Sequence, residues 1–265
     1  MNQHNVTWHH GLVADWWREF NHGGDDVAYF LDAVSGVTEP VLDLGCGTGR
    51  LLIPLLEAGL DAWGVDPAPS MLNGCRSLCA EHNLSPRLHC QPANGLDIDM
   101  DFHTVFFCGA FGLGGSRHDD LHGLQRIYQH LRPGGHLYLD HHLPNFNRKA
   151  WQDWVEEPDL PRAWPQHGDR RTARDGRDLQ MKSRVLRFNP LEQQAEWEIQ
   201  VNEYVDGEET RTETYPLLIN IYFKPEIELM LRTAGFDLVR VETIQHTEPR
   251  PWQDSHIVFI ATKRL

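Results

Sequence analysis

The chain has 265 residues, 40% of them hydrophobic and 23% charged, which suits one large α/β domain or a domain carrying a sizeable insertion. A formal net charge of −14 makes nonspecific association with nucleic acid or an anionic membrane electrostatically unfavourable. The sequence contains no run near the roughly 18 apolar residues of a membrane span, no basic-then-apolar leader, and five scattered cysteines without a CxxC pair. That pattern suggests neither a structural zinc site nor a redox motif, and it predicts free thiols in a reducing, cytoplasmic setting.

In chain order, "LVADWWREF" comes first. It places Leu12, Trp16 and Phe20 on one helical stripe with Val13 and Trp17 beside it. Such a helix either packs on the body of the fold or closes over a ligand, and residues 1–36 are read as an N-terminal helical lid. From 37 to 142, short β-type runs alternate with amphipathic stretches. "PVLDLG" (40–45), "DAWGVD" (61–66), "RLHCQPA" (87–93), "TVFFCGAF" (104–111) and "HLYLDHH" (136–142) read as strands. Met71, Cys75, Leu78 and Cys79 recur at helical spacing, as do Leu121, Leu124, Tyr128 and Leu131. "RPGG" at 132–135 marks the break before the fifth strand. This alternation predicts a doubly wound parallel sheet, whose ligands sit beyond the C-terminal ends of its strands. That rim collects Gly45 to Gly49, Asp66, Ala93, Asn94, Cys108 to Phe111, His141 and His142.

Past 142 the regularity stops. Residues 145–180 are rich in proline and charge and read as irregular. Three β-like runs follow near 181–188, 194–205 and 210–222. In the second, Trp197, Ile199 and Val201 alternate with Glu196, Glu198 and Gln200, as in a sheet with one wet face. A helix then restarts near Pro225 and stops at Gly235, and 237–243 and 256–264 supply two closing strands. Residues 143–222 are read as an insertion capping the ligand rim, with 37–142 and 223–265 forming the core.

The turn "VLDLGCGTGR" (41–50) must bring backbone close to a ligand, either a dinucleotide pyrophosphate or S-adenosylmethionine. The dinucleotide fingerprint GxGxxG fails, because Arg50 occupies the third glycine position counted from Gly45. The spacing is instead DxGxGxG. Asp43 inside the turn suits a ligand with an ammonium group better than a pyrophosphate.

Here the sequence resembles the class I S-adenosylmethionine-dependent methyltransferases. "VLDLGCGTG", "GVDPAPSML", "TVFFCGAFGLGG", "LRPGGHLYLD" and "LRTAGFDLVRVE" match that family's motifs in order. The resemblance implies a Rossmann-like, seven-stranded, mainly parallel sheet with an antiparallel last strand, here with an inserted antiparallel β lid after the fifth strand. It assigns Asp43, Gly45 and Cys46 to the methionine end, with Gly47 allowing close approach. Asp66 would take both ribose hydroxyls, and Pro67 and Met71 would pack near the adenine. Where the family often has an acid beside the adenine amino group, this chain has Ala93 and Asn94. Cys108 and Gly109 would border the methionine moiety. The implied cofactor is S-adenosyl-L-methionine, leaving as S-adenosyl-L-homocysteine.

Methyl transfer requires a nucleophile held in line about 3 Å from the methyl carbon, and a base only if that nucleophile arrives protonated. Among 16 histidines the His141–His142 doublet stands out; adjacent strand residues face opposite sides, so at most one is a candidate base. Trp16, Trp17 and Phe111 are candidate substrate contacts. No set of oxygen ligands suggests a metal. The arginines of 162–177 are interleaved with aspartates, as in a self-compensated loop. The expected activity is methyl transfer to an O or N atom of a small organic molecule, without nucleic acid or membrane as partner. A protein methyltransferase and an inactive cofactor-binding protein are the alternatives. The acceptor and the oligomeric state are not encoded in any motif.

Overall fold

The structure is a computed structural model, and it describes residues 9–144, 148–250 and 253–265. The chain opens with α1 (Gly11–Phe20) and α2 (Asp25–Ala33), and then alternates strands with helices. The alternating part comprises β1 (Val41–Leu44), α3 (Leu52–Glu57), β2 (Ala62–Val65), α4 (Pro69–Glu81) and β3 (Arg87–His89). A 3-10 turn at Ala93–Gly95 precedes β4 (Phe102–Phe107), α5 (Arg117–His130) and β5 (Leu131–His142). After α6 (Arg148–Val155) come β6 (Asp169–Thr172), β7 (Asp178–Asn189), β8 (Gln194–Val205) and β9 (Glu208–Asn220). The chain closes with α7 (Lys224–Ala234), β10 (Asp237–Glu242) and β11 (His256–Thr262).

Seven strands form one sheet in the order β10-β11-β5-β4-β1-β2-β3. Pairings among β1 to β5 are parallel, and β11 runs antiparallel to both of its neighbours. This is the Rossmann-like arrangement expected from the motifs. Parallel strands are covered on both faces, so their residues must be apolar on both sides. Accordingly Leu42, Leu44, Val105 and Leu139 pack under α5 and α7, against Leu124, Ile127, Ile227 and Leu231. Val41, Phe106 and Val258 face the other layer, against Phe30 of α2 and Leu52, Leu72 and Cys75. A fully buried side chain of the size of Phe30 or Phe106 contributes about 2–3 kcal/mol through removal from water. The strand order reverses between β1 and β4, the place where ligands of such sheets bind.

The second sheet is antiparallel, in the order β6-β7-β8-β9. Its inner face carries Leu179, Ile199 and Val201, which pack on Leu12, Val13 and Trp16 of α1. Its outer face pairs Arg184 with Glu198. It is stitched to the core at the loop after β4, where Gly114 N–H donates to Leu218 O (2.7 Å) and Asn220 N–H to Gly112 O (2.8 Å). The helix α1 is thus wedged between this sheet and α4, whereas α2 belongs to the core layer through Val27 and Phe30.

Two elements differ from expectation. The 145–180 stretch contains α6 and β6. In α6, Trp151 and Trp154 lie one turn apart and pack on Phe223 and Phe188, an aromatic seam masked in the sequence by surrounding charge and proline. The strand β6 has no apolar signal, because its Arg170 and Arg171 are paired with Asp178 and Asp169 rather than buried. "RPGG" does end α5, but it already lies inside β5, as an irregularity opposite Phe102 and Thr104.

Candidate functional site

The site grows from the turn after β1. Gly45 and Cys46 both donate their N–H groups to Val65 O (2.7 and 3.0 Å), which folds the chain sharply off the strand. Gly45 has φ +77°, and a Cβ there would lie 2.6 Å from the Ala110 methyl, so only glycine lets the β1 and β4 turns approach this closely. Gly47, at φ +54°, donates its N–H to Asp66 Oδ2 (3.0 Å). The other Asp66 oxygen accepts from Ala68 N–H (2.8 Å). Asp66 is therefore fixed at the end of β2 with both oxygens still able to accept further hydrogen bonds. Burial raises its carboxyl above the usual range, and the Ala68 and Gly47 amides oppose that rise.

Asp43 is 4% exposed, and its Oδ2 is buried without a hydrogen-bond partner among the described residues. Burial pushes this carboxyl up to about 7, with the Arg50 guanidinium opposing. An orphaned buried acceptor of this kind is costly unless a ligand donor meets it. The indole Nε1–H of Trp17 is likewise buried without a partner.

A cavity of about 300 Å³ opens over this turn. Asp43, Gly45, Cys46 and Gly47 line it from β1, and Asp66, Pro67 and Met71 from β2 and α4. Cys108 and Gly109 close it from β4. A smaller cavity of about 80 Å³ adjoins it through the shared residues Gly45, Pro67, Ala110 and Leu113, and it contains Ala93 and Asn94. Thus the residues assigned to the cofactor surround two adjoining cavities. The Asn94 side-chain amide donates to Asp119 Oδ1 (2.8 Å), so α5 places Asp119 and Asp120 at the same wall. His9, Asn21, Arg50, Asp119 and Asp120 also reach the cavities and were not among the sequence-derived candidates, and Thr48 reaches the larger one from inside the glycine turn. Arg50 had a signal, as the residue that breaks GxGxxG; His9, Asn21, Asp119 and Asp120 come from distant segments.

The remaining candidates fall elsewhere. The His141 Nε2–H donates to Tyr222 O (3.1 Å), and burial lowers its imidazole to about 4, leaving it neutral. His142 is exposed and stacks on His256 at 4.2 Å. Neither histidine lines either cavity. Trp16 faces the β lid, where it meets Phe20 and Leu179, because the stripe it shares with Leu12 is the face that α1 buries there. Trp17, one position on, lines the larger cavity and packs with Ala68 and Met71. Phe111 is 5% exposed in the core between Phe107 and Tyr222. Among the described residues no cluster of three or more His, Cys, Asp or Glu could hold a metal ion.

Residues 41–135 match the model of a methyltransferase domain. A tRNA U34 carboxymethyltransferase from Idiomarina loihiensis is 37% identical over 120 residues, covering 43% of this chain and 35% of the relative. The chain thus spans only about a third of that relative's length. The CcbJ methyltransferase of Streptomyces caelestis superposes with a TM-score of 0.71 at 19% identity, covering 99% of this chain and all of that one. CalS10 of Micromonospora echinaspora, an amino pentose methyltransferase solved with S-adenosylmethionine bound, gives a TM-score of 0.64 at 22% identity and covers 98% and 100%. At these identities the structural likeness is one of fold. Residues 41–135 thus carry a methyltransferase domain, and the chain has the fold of the S-adenosylmethionine-dependent methyltransferases on which it superposes.

Proposed function

We propose that the chain transfers a methyl group from S-adenosylmethionine to an O or N atom of a small organic molecule. The observation carrying this reading is the buried Asp43, one oxygen of which has no partner among the described residues, on the wall of the same cavity as the doubly anchored Asp66. Asp43 would accept from the cofactor's ammonium group, with Gly45, Cys46 and Gly47 giving backbone approach. Asp66 would accept from the ribose hydroxyls. Pro67, Met71, Ala93 and Asn94 would surround the adenine, and Cys108 and Gly109 the methionine end. When bound, the cofactor supplies an activated methyl group open to in-line displacement. The protein's share is to orient the acceptor and keep water out. Trp17 on α1, backed by the β lid, closes one side of the cavity. A free amine needs no base, and a hydroxyl acceptor would need one. The placement of His141 and His142 beyond both cavities favours an acceptor that needs none.

A small substrate is supported by the acidic surface and by the fold shared with the amino pentose methyltransferase. The tRNA enzyme is the competing analogy, but a net charge of −14 repels a polyphosphate backbone. Among the described residues no helix is long and apolar enough to cross a membrane. All five cysteines are free thiols, which supports a reducing, cytoplasmic location. Labelled methyl transfer to a panel of amino sugars, peptides and tRNA tests the acceptor class. Incorporation into peptide or tRNA, with none into small amines or alcohols, would overturn it.

A further inference from the structure

The turn after β4 is held from behind. Gly109 lines the larger cavity at φ +67° and donates its N–H to Asp140 Oδ1 at 2.6 Å. Asp140 is 7% exposed near the C-terminal end of β5, and its second oxygen accepts from His256 Nε2–H at 3.0 Å. His256 sits on β11 directly opposite His142, and the two rings stack at 4.2 Å with planes 11° apart. A continuous path therefore runs from a partly exposed imidazole, through a buried carboxylate, to a backbone amide at the cavity wall. The surrounding charged and titratable groups are His141 and His142 of β5, Asp26 of α2, Arg50 ahead of α3 and Cys108 after β4, with Asp43 of β1 on the wall of the cavity itself. Asp26 and Arg50 form a two-oxygen ion pair at 2.7 and 2.8 Å and largely cancel each other. Burial favours the neutral forms of His141 and His142, and it raises the Cys108 thiol well above its ordinary range. The net charge behind the turn is thus decided by Asp140 and His256.

We propose that His256, acting through Asp140, is a positioning residue that sets the charge behind the Cys108–Gly109 turn and so tunes the site's preference for the cationic methyl donor over its neutral-sulfur product. This rests on the S-adenosylmethionine reading of the cavity. With His256 as imidazolium, the His256–Asp140 pair is neutral. With His256 neutral, its Nε2–H still donates, the turn stays in place, and the carboxylate charge is uncompensated. Donor and product share their amino, carboxylate, ribose and adenine groups and differ by one methyl and one positive charge. The ratio of their affinities therefore reads the field at the sulfur. The hydrogen bond and charge of Asp140 raise the His256 imidazole above its ordinary range, with burial opposing.

Calorimetric titration of S-adenosylmethionine and S-adenosylhomocysteine into the wild type, His256→Gln and His256→Lys, from about pH 6 to about pH 9 across the imidazole range, tests this. Preference for the donor should rise with pH about three- to tenfold more in the wild type than in His256→Gln. The Gln variant retains the pH dependence of Asp43 and of the ligands' own amino groups. His256→Lys should hold the low-pH preference throughout. In the wild type itself, NMR titration of the His256 ring should give a lower pKa in the donor complex than in the product complex, as reciprocity requires. Identical pH profiles for wild type and His256→Gln, or equal His256 titration in the two complexes, would overturn the proposal. Failure of both ligands to bind the wild type would instead overturn the cofactor reading on which it rests.

Discussion

Asp43 lies at 4% exposure with an unpaired oxygen, and burial moves its carboxyl from 3.8 to about 7. Because the folded pKa lies above the unfolded one, its stability contribution is full below about 3.8 and is lost as pH rises through about 7. The ligand-free protein should therefore be less stable at pH 8 than this group alone would make it at pH 4, by on the order of 4 kcal/mol. Asp43→Asn should flatten that pH dependence of the thermal midpoint while abolishing cofactor binding; an unchanged slope would show that Asp43 ionises freely. Gly45→Ala should destabilise the fold by about 1–3 kcal/mol, from left-handed strain and the clash with Ala110, and should weaken cofactor binding. Denaturant melts and calorimetry report the two effects. These residues were legible because the contacts assigned to the cofactor come from one contiguous turn and from the acid one strand later. Asp119 and Asp120 were not, since nothing local in the sequence aims α5 at that turn. The Asp140–His256 contact was equally hidden, because it needs β11 inserted antiparallel beside β5, 116 residues away.

Among the elements, α1 brings Trp17 to the cavity wall, and ion pairs strap it in place. Arg177, ahead of β7, meets Asp15 of α1 at 3.3 Å and Glu203 of β8 at 2.6 Å. Arg174 joins Glu19 of α1 and Glu81 of α4 at 3.1 and 2.6 Å. Arg177→Met should destabilise the protein by about 1–3 kcal/mol, because it leaves partly buried carboxylates unpaired. It should also speed amide exchange across residues 11–20 more than in β1 or β4. Uniform exchange across the chain would mean that α1 is held by its apolar contacts alone. The core strands could be read from the sequence because burial on both faces makes them short apolar runs. The strands of the lid could be read from their alternation. In α6 the aromatic contacts are made by two tryptophans in an otherwise polar stretch, and β6 is held by backbone pairing and surface ion pairs, so neither leaves a hydrophobic period to detect.

At the level of the whole molecule, the parallel sheet supplies the cavities and the antiparallel sheet backs α1, whose Trp17 lines the larger one, while a net charge of −14 disfavours polyanions. tRNA should give no mobility shift even at low salt, where any phosphate contacts are strongest; a salt-sensitive shift would restore the nucleic-acid reading. The central claim is that the cavity lined by the β1 and β4 turns holds S-adenosylmethionine through Asp43 and Asp66. Calorimetry of the wild type and Asp66→Ala with S-adenosylmethionine and with NAD tests it most directly. The account predicts saturable binding of S-adenosylmethionine, at least tenfold weaker in Asp66→Ala through loss of roughly 1.4 kcal/mol or more of hydrogen bonding, and no binding of NAD. Unchanged affinity in Asp66→Ala, or binding of NAD in place of S-adenosylmethionine, would contradict it.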